Sequence, residues 1–128
     1  MPKFELKRLV RDKIAEQIKA SGDESVGRIL EDTDFIRELK RKILEEAREL
    51  DTAAAAEVLS ELADIEELVL TLADLHGGET ALTQARAAKN AKAGGFTRRY
   101  FIETATLRPD SPWLKYYLDR PGKFRHLD

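Results

Sequence analysis

Carboxylates at Glu45, Glu46, Glu49, Glu61 and Asp64 are the residues of this chain whose spacing suits chemistry. They fall in two phrases, EEARE and ELAD, each with acids three positions apart inside an apolar helical pattern. At about 100° per residue, Glu46 lies within the arc of Phe35, Ile36, Leu39, Ile43, Ala47 and Leu50, with Glu49 about 60° to one side. Glu61 lies likewise within the stripe of Val58, Leu62, Ile65, Leu68, Val69 and Leu72, and Asp64 takes the same shoulder. Glu66, Glu67 and Asp74 fall on the opposite face, where solvated acids belong.

If the two helices form a hairpin, these carboxylates converge. Acids gathered in a partly dry site repel one another and lose hydration, so either some take up protons or cations sit between them. Hard divalent ions with all-oxygen ligands suit the second course, Mg²⁺ first and Mn²⁺ as the alternative. A single Glu-x-x-Glu is ordinary surface decoration; two pairs breaking two apolar stripes in the same way favour a site over that reading. A di-iron carboxylate bundle needs Glu-x-x-His, but the residues three before His76 and His126 are Ala73 and Lys123.

The elements that must hold these acids can be read in order. Leu9 to Ala20 has the pattern of a short amphipathic helix stopped by Ser21-Gly22. Asp32, Thr33 and Asp34 offer N-caps for a long helix to about Leu50. A second long helix is predicted from Ala53 to about Leu75, closed by His76-Gly77-Gly78, and a third from about Glu79 to Ala93. The short connection around Asp51–Ala54 favours a hairpin of the two long helices. Val26–Leu30 and Phe96–Leu107, rich in β-branched or aromatic residues, are predicted to pair as two short strands. Ser111-Pro112 starts a turn or two of helix in a Pro-punctuated tail.

Composition limits the function classes. With 22 Lys+Arg against 24 Asp+Glu, net charge is −2, so there is no bulk reason for general nucleic-acid or anionic-membrane binding. No cysteine means no disulfide, Cys-zinc site or thiol nucleophile. MPKFELKRLVRDK lacks a signal-peptide core, and no uncharged stretch nears the roughly 20 residues a bilayer needs, so a cytoplasmic protein is expected.

EExxE followed by ExxD on consecutive helices resembles the signature of the MazG-type all-α nucleoside triphosphate pyrophosphohydrolases. KRLVRDKI, GRIL, LKRKILEEARE, ELADIEELVLTLADLHG and KNAKAGGF are similar, in order, to the house-cleaning branch that includes phosphoribosyl-ATP pyrophosphohydrolase-like proteins. The resemblance covers roughly Lys7 to Glu103. It implies Mg²⁺-dependent hydrolysis between the α and β phosphates, with Glu46, Glu49, Glu61 and Asp64 as metal ligands and Glu45 orienting water or ligand. It also implies nucleotide contacts from Lys89, Asn90 and Lys92. Residues 50 to 60, eleven in all, separate Glu49 from Glu61, so the turn must be tight. Ala93 stands where this branch more often has an arginine, a place Arg98 or Arg99 could take.

Arg11 and Lys13, in the RDK stretch, either contact phosphate or form a solvated basic face with Asp12. Lys42 falls near Glu46 and Glu49 on the wheel and balances charge. Trp113, Tyr116 and Tyr117 could stack on a base, but aromatics in a Pro-bounded tail are rather expected to anchor it on the core or on a neighbouring subunit. His76 suits a helix C-terminus.

The expected protein is therefore mainly α, a helical bundle with a small accessory β pair. Residues 1–107 would form the pyrophosphohydrolase domain and 108–128 a packing tail. Wide apolar stripes on both long helices exceed what one such chain can cover, so a homo-oligomer is expected, dimer first and tetramer second. The expected substrate is a non-standard or surplus nucleoside triphosphate. The rivals are phosphoribosyl-ATP hydrolysis in histidine synthesis and a catalytically silent helical interaction module.

Overall fold

A computed structural model describes residues 1–128. The chain divides into two compact units, Met1–Lys92 and Ala93–Asp128, and Leu107 lies inside the second.

The first unit is built on one helical hairpin. Helix α1, Ile14–Ala20, is short and ends at Ser21. There the Asp23 N–H donates to the Ile18 carbonyl (3.1 Å) and Gly22 adopts a φ of 83°, a left-handed stop that suits glycine. The sequence pattern predicts this helix from Leu9; the structure starts it at Ile14, leaving residues 1–13 as an arm outside any helix, bent at Arg8 and turning at Asp12 and Lys13. Helix α2, Asp32–Thr52, has no side-chain cap, but Asp32 and Asp34 in its first turn complement the positive end of the helix dipole.

Two extended alanines reverse the chain without any glycine. Ala53 has φ −68° and ψ 141°, Ala54 φ −67° and ψ 153°, and a 3₁₀ turn at Ala55–Glu57 leads into helix α3, Val58–Asp74. The predicted helix from Ala53 thus begins slightly later, and the tight turn required by the short gap is made. Near its end, His76 Nδ1 lies 3.1 Å from the Leu72 carbonyl, a bond the Nδ1–H tautomer donates, consistent with a capping role. Helix α4, Gly78–Ala93, follows.

Helices α2 and α3 pack directly on each other, whereas α1 and α4 pack on neither. Leu39 is the one buried hydrophobic residue of the chain, at 2% exposure, and Glu46, at 7%, is the one buried polar residue. They are seven positions apart on α2, two turns along the same face. The predicted accessory β pair does not form: Val26–Leu30 and Phe96–Leu107 contain no strand. Strand propensity needs a partner and a surface to pack on, and Val26, Ile29 and Phe96 instead stand almost fully in solvent.

The second unit is held by aromatic rings. Ser111 Oγ accepts from the Trp113 N–H (3.1 Å) at the start of helix α5, Leu114–Leu118. Tyr117 meets Phe124 edge-on at 4.7 Å between centroids and Trp113 in a stacked pair at 6.3 Å. The Arg120 guanidinium sits 4.0 Å over the Tyr116 ring. These rings pack on one another within their own unit. No helix of the chain is long and apolar enough to cross a membrane.

Candidate functional site

The hairpin brings the sequence-derived acids together. Carboxylate oxygens of Glu46, from α2, and of Glu61 and Asp64, from α3, lie within 4.8 Å of one another. Along α2, Glu45, Glu46 and Glu49 make a second such group, so Glu46 is common to both. Glu46 is buried, Glu45, Glu61 and Asp64 are half-buried, and Glu49 is exposed. Glu66 and Glu67 on α3 are exposed, as expected of solvated acids.

Helical spacing explains this geometry. Glu46 shares its face with Leu39, and that face is the one α2 turns toward α3. On α3, Glu61 and Asp64 are three apart and therefore neighbours on one surface. Placing acids on both sides of a packed seam is what makes them converge.

The seam is electrostatically costly as it stands. Oε2 of Glu46 and Oε2 of Glu61 are buried with no hydrogen-bond partner. Burial pushes the Glu46 carboxyl up to about 7, helped by hydrogen bonds it would share with Glu61 and Glu49 and by the charges of Glu49 and Asp64. Two carboxylates can share a hydrogen bond only while one carries a proton; once both ionise, the two orphan oxygens face no donor. An all-carboxylate oxygen set of this kind suits a hard divalent cation such as Mg²⁺ or Mn²⁺.

Basic side chains border the acids. Arg11 donates to Asp64 Oδ1 at 2.6 Å, and that bond and charge hold its guanidinium still more firmly protonated. Arg8 donates to Glu45 Oε1 at 2.7 Å. Lys42 Nζ lies 3.4 Å from Glu45 Oε1 and 3.7 Å from Glu46 Oε1, the balancing role its wheel position suggests.

Other sequence candidates stay apart. Lys13 is exposed at the start of α1 and makes no ion pair. Lys89, Asn90 and Lys92 are exposed on α4, which does not pack on the hairpin. Arg98 and Arg99 lie in the second unit, in a turn closed by the Arg99 N–H on the Phe96 carbonyl (3.1 Å). Arg8 is the residue beside the site that the sequence reading passes over. Its signal was the three-residue spacing to Arg11 in KRLVR, which lets one arm reach two acids. No protein-family model matches the chain, and no curated protein or solved structure matches it.

Proposed function

We propose that this protein hydrolyses a nucleoside triphosphate at the α–β phosphate bond, with Mg²⁺, to a nucleoside monophosphate and pyrophosphate. The observation that supports this most is Glu46: a buried carboxylate with an orphan oxygen, within 4.8 Å of Glu61 and Asp64 on the facing helix. Lys42 lies 3.7 Å from its other oxygen, and a further cation in the seam would make the ionised group tolerable. The resemblance of EEARE and ELAD to the MazG-type signature supplies the reaction class.

In this reading Glu46, Glu49, Glu61 and Asp64 hold the metal, and Glu45 orients water or ligand from the edge. Bound divalent cations supply charge neutralisation for the triphosphate and polarise the attacking water. Water adds at phosphorus, the bridging oxygen leaves with pyrophosphate, and the water's protons pass to solvent and product. The chain's own part is positioning and electrostatics. Arg11, now on Asp64 Oδ1 (2.6 Å), would exchange it for a phosphate oxygen.

The active form is a homo-oligomer, dimer first and tetramer second. The chain exposes 12273 Å², whereas a compact protein of 14.5 kDa exposes about 6,900 Å², and two separately folded bodies of its units' sizes about 8,000 Å². Leu59 is 80% exposed on α3 and Phe101 85% exposed. A second copy is the partner that a chain with so small a core of its own needs. In that assembly Lys89, Asn90 and Lys92 of α4 would serve a neighbour's site.

A panel of standard and modified nucleoside triphosphates, with phosphoribosyl-ATP included, tests the reading under Mg²⁺ and Mn²⁺ with product identification. Pyrophosphate and monophosphate are expected. Orthophosphate as product, or no turnover across the panel, overturns it.

A further inference from the structure

Beside the carboxylate seam, between the N-terminal arm and the outer side of α2, lies an open cleft of about 400 Å³. Five cationic side chains line it: Lys7 and Arg8 from the arm, and Arg41, Lys42 and Arg48 from α2. The acids lining it are only Glu38 and Glu45. Lys7 also pairs with Glu5 (2.8 Å) and Lys42 with Glu46 (3.7 Å), so the cleft keeps a small positive excess in a chain of net charge −2. Glu45 belongs both to this cleft and to the Glu45, Glu46, Glu49 group, so the two are contiguous.

We propose that this cleft is a polyphosphate-binding subsite, taking the distal phosphates of a nucleotide tail. It rests on the nucleotide reading above for its occupant and not for its geometry. Arg48 makes no ion pair, Arg41 uses one N–H on Glu38 Oε1 (3.0 Å), and Arg8 uses two, one on Glu45 Oε1 (2.7 Å) and its Nε–H on the Leu6 carbonyl (3.1 Å). A guanidinium carries five N–H donors, so most of this capacity is free for phosphate oxygens. The Arg8–Glu45 pair is itself open to exchange. Arg8 is 53% exposed and comes from an arm outside any helix, and an ion pair so wet is weak.

Charge fits the arrangement. A triphosphate brings about four negative charges, which the acidic seam alone repels and a bordering basic cleft offsets. Binding would hand Arg8 from Glu45 to phosphate and free Glu45 to face the seam. The two halves of the site, acids for cations and cations for phosphate, then meet at one residue.

The test uses the full-length protein and inorganic tripolyphosphate, titrated calorimetrically without metal at low salt. Wild type is expected to bind. Arg8→Ala and Arg48→Ala each weaken binding about tenfold, while Arg37→Ala, outside the cleft on the same helix, leaves it unchanged. Glu45→Gln is expected to tighten binding, because it releases Arg8, a change of sign that simple damage to the fold does not produce. No binding by wild type, or unchanged affinity in both arginine variants, overturns the subsite. A nucleoside triphosphate that competes with tripolyphosphate supports a nucleotide tail as occupant, and one that leaves tripolyphosphate bound overturns that assignment. Tripolyphosphate binding without any nucleotide turnover keeps the subsite and removes the proposed reaction. Turnover whose KM is the same in Arg8→Ala and Arg48→Ala keeps the reaction and removes the subsite.

Discussion

Glu46 differs from the other acids because of where its helix turns it. Burial raises its carboxyl to about 7 against an ordinary value of 4.5. The folded state therefore holds this proton more tightly than the unfolded chain, and its contribution to stability is full below pH 4.5 and lost as pH rises through about 7. Without metal, the melting temperature should fall across that window. Glu46→Gln should flatten the fall and, at pH 8, stabilise the metal-free protein by about 1 kcal/mol or more, since burial and the neighbouring carboxylates cost its charge more than Lys42 at 3.7 Å returns. Thermal melts with chelator at stepped pH would check both, and a melting temperature that climbs from pH 5 to 7 in wild type would contradict the account. At Glu61 the expected signature is metal-dependent. Millimolar Mg²⁺ or Mn²⁺ should raise the wild-type melting temperature, chelator should reverse it, and Glu61→Gln should abolish the response. Glu66→Gln, on the wet face of α3, should keep that response and shift stability by less than about 0.5 kcal/mol.

At the scale of elements, one hairpin carries the first unit. Leu39 is its single fully packed hydrophobic side chain, so Leu39→Ala should cost about 2–5 kcal/mol, measurable by denaturant unfolding followed by circular dichroism. Leu59→Ala, equally apolar but 80% exposed in the chain, should cost little unless another copy covers it. A large cost at Leu59 would therefore report an interface. The turn between α2 and α3 needs two extended residues and a 3₁₀ turn, which alanine and glutamate at residues 53–57 supply without strain. The arm before α1 is tied back by its arginines. Arg8 reaches Glu45 and Arg11 reaches Asp64, 37 and 53 positions away, where the sequence pattern predicts a helix from Leu9.

For the whole molecule, surface is the deciding quantity. Obligate assemblies bury on the order of 2,000–5,000 Å², and this chain exposes roughly 4,000 Å² more than its two units would if each were compact. Light scattering after size exclusion should therefore give at least a dimer at micromolar concentration, and the melting temperature should rise with protein concentration. A monomer that unfolds cooperatively at a concentration-independent temperature would rule this out.

The helices and the acids on their inner faces were legible in the sequence because both are local. Apolar residues recurring every three or four positions specify a helix and its buried stripe, and Glu46 and Glu61 interrupt those stripes wherever the rest of the chain goes. His76-Gly77 and Ser21-Gly22 mark helix ends for equally local reasons. Val26–Leu30 and Phe96–Leu107 have the composition of strands yet form none, since a strand is completed by a neighbour rather than by its own residues. Only tertiary structure decided that Glu46 and Glu61 meet, that Arg8 and Arg11 fold back onto the acids, and that α4 leaves the hairpin. Contacts between residues far apart in the chain depend on how packed helices orient their faces, and no spacing along one segment encodes that.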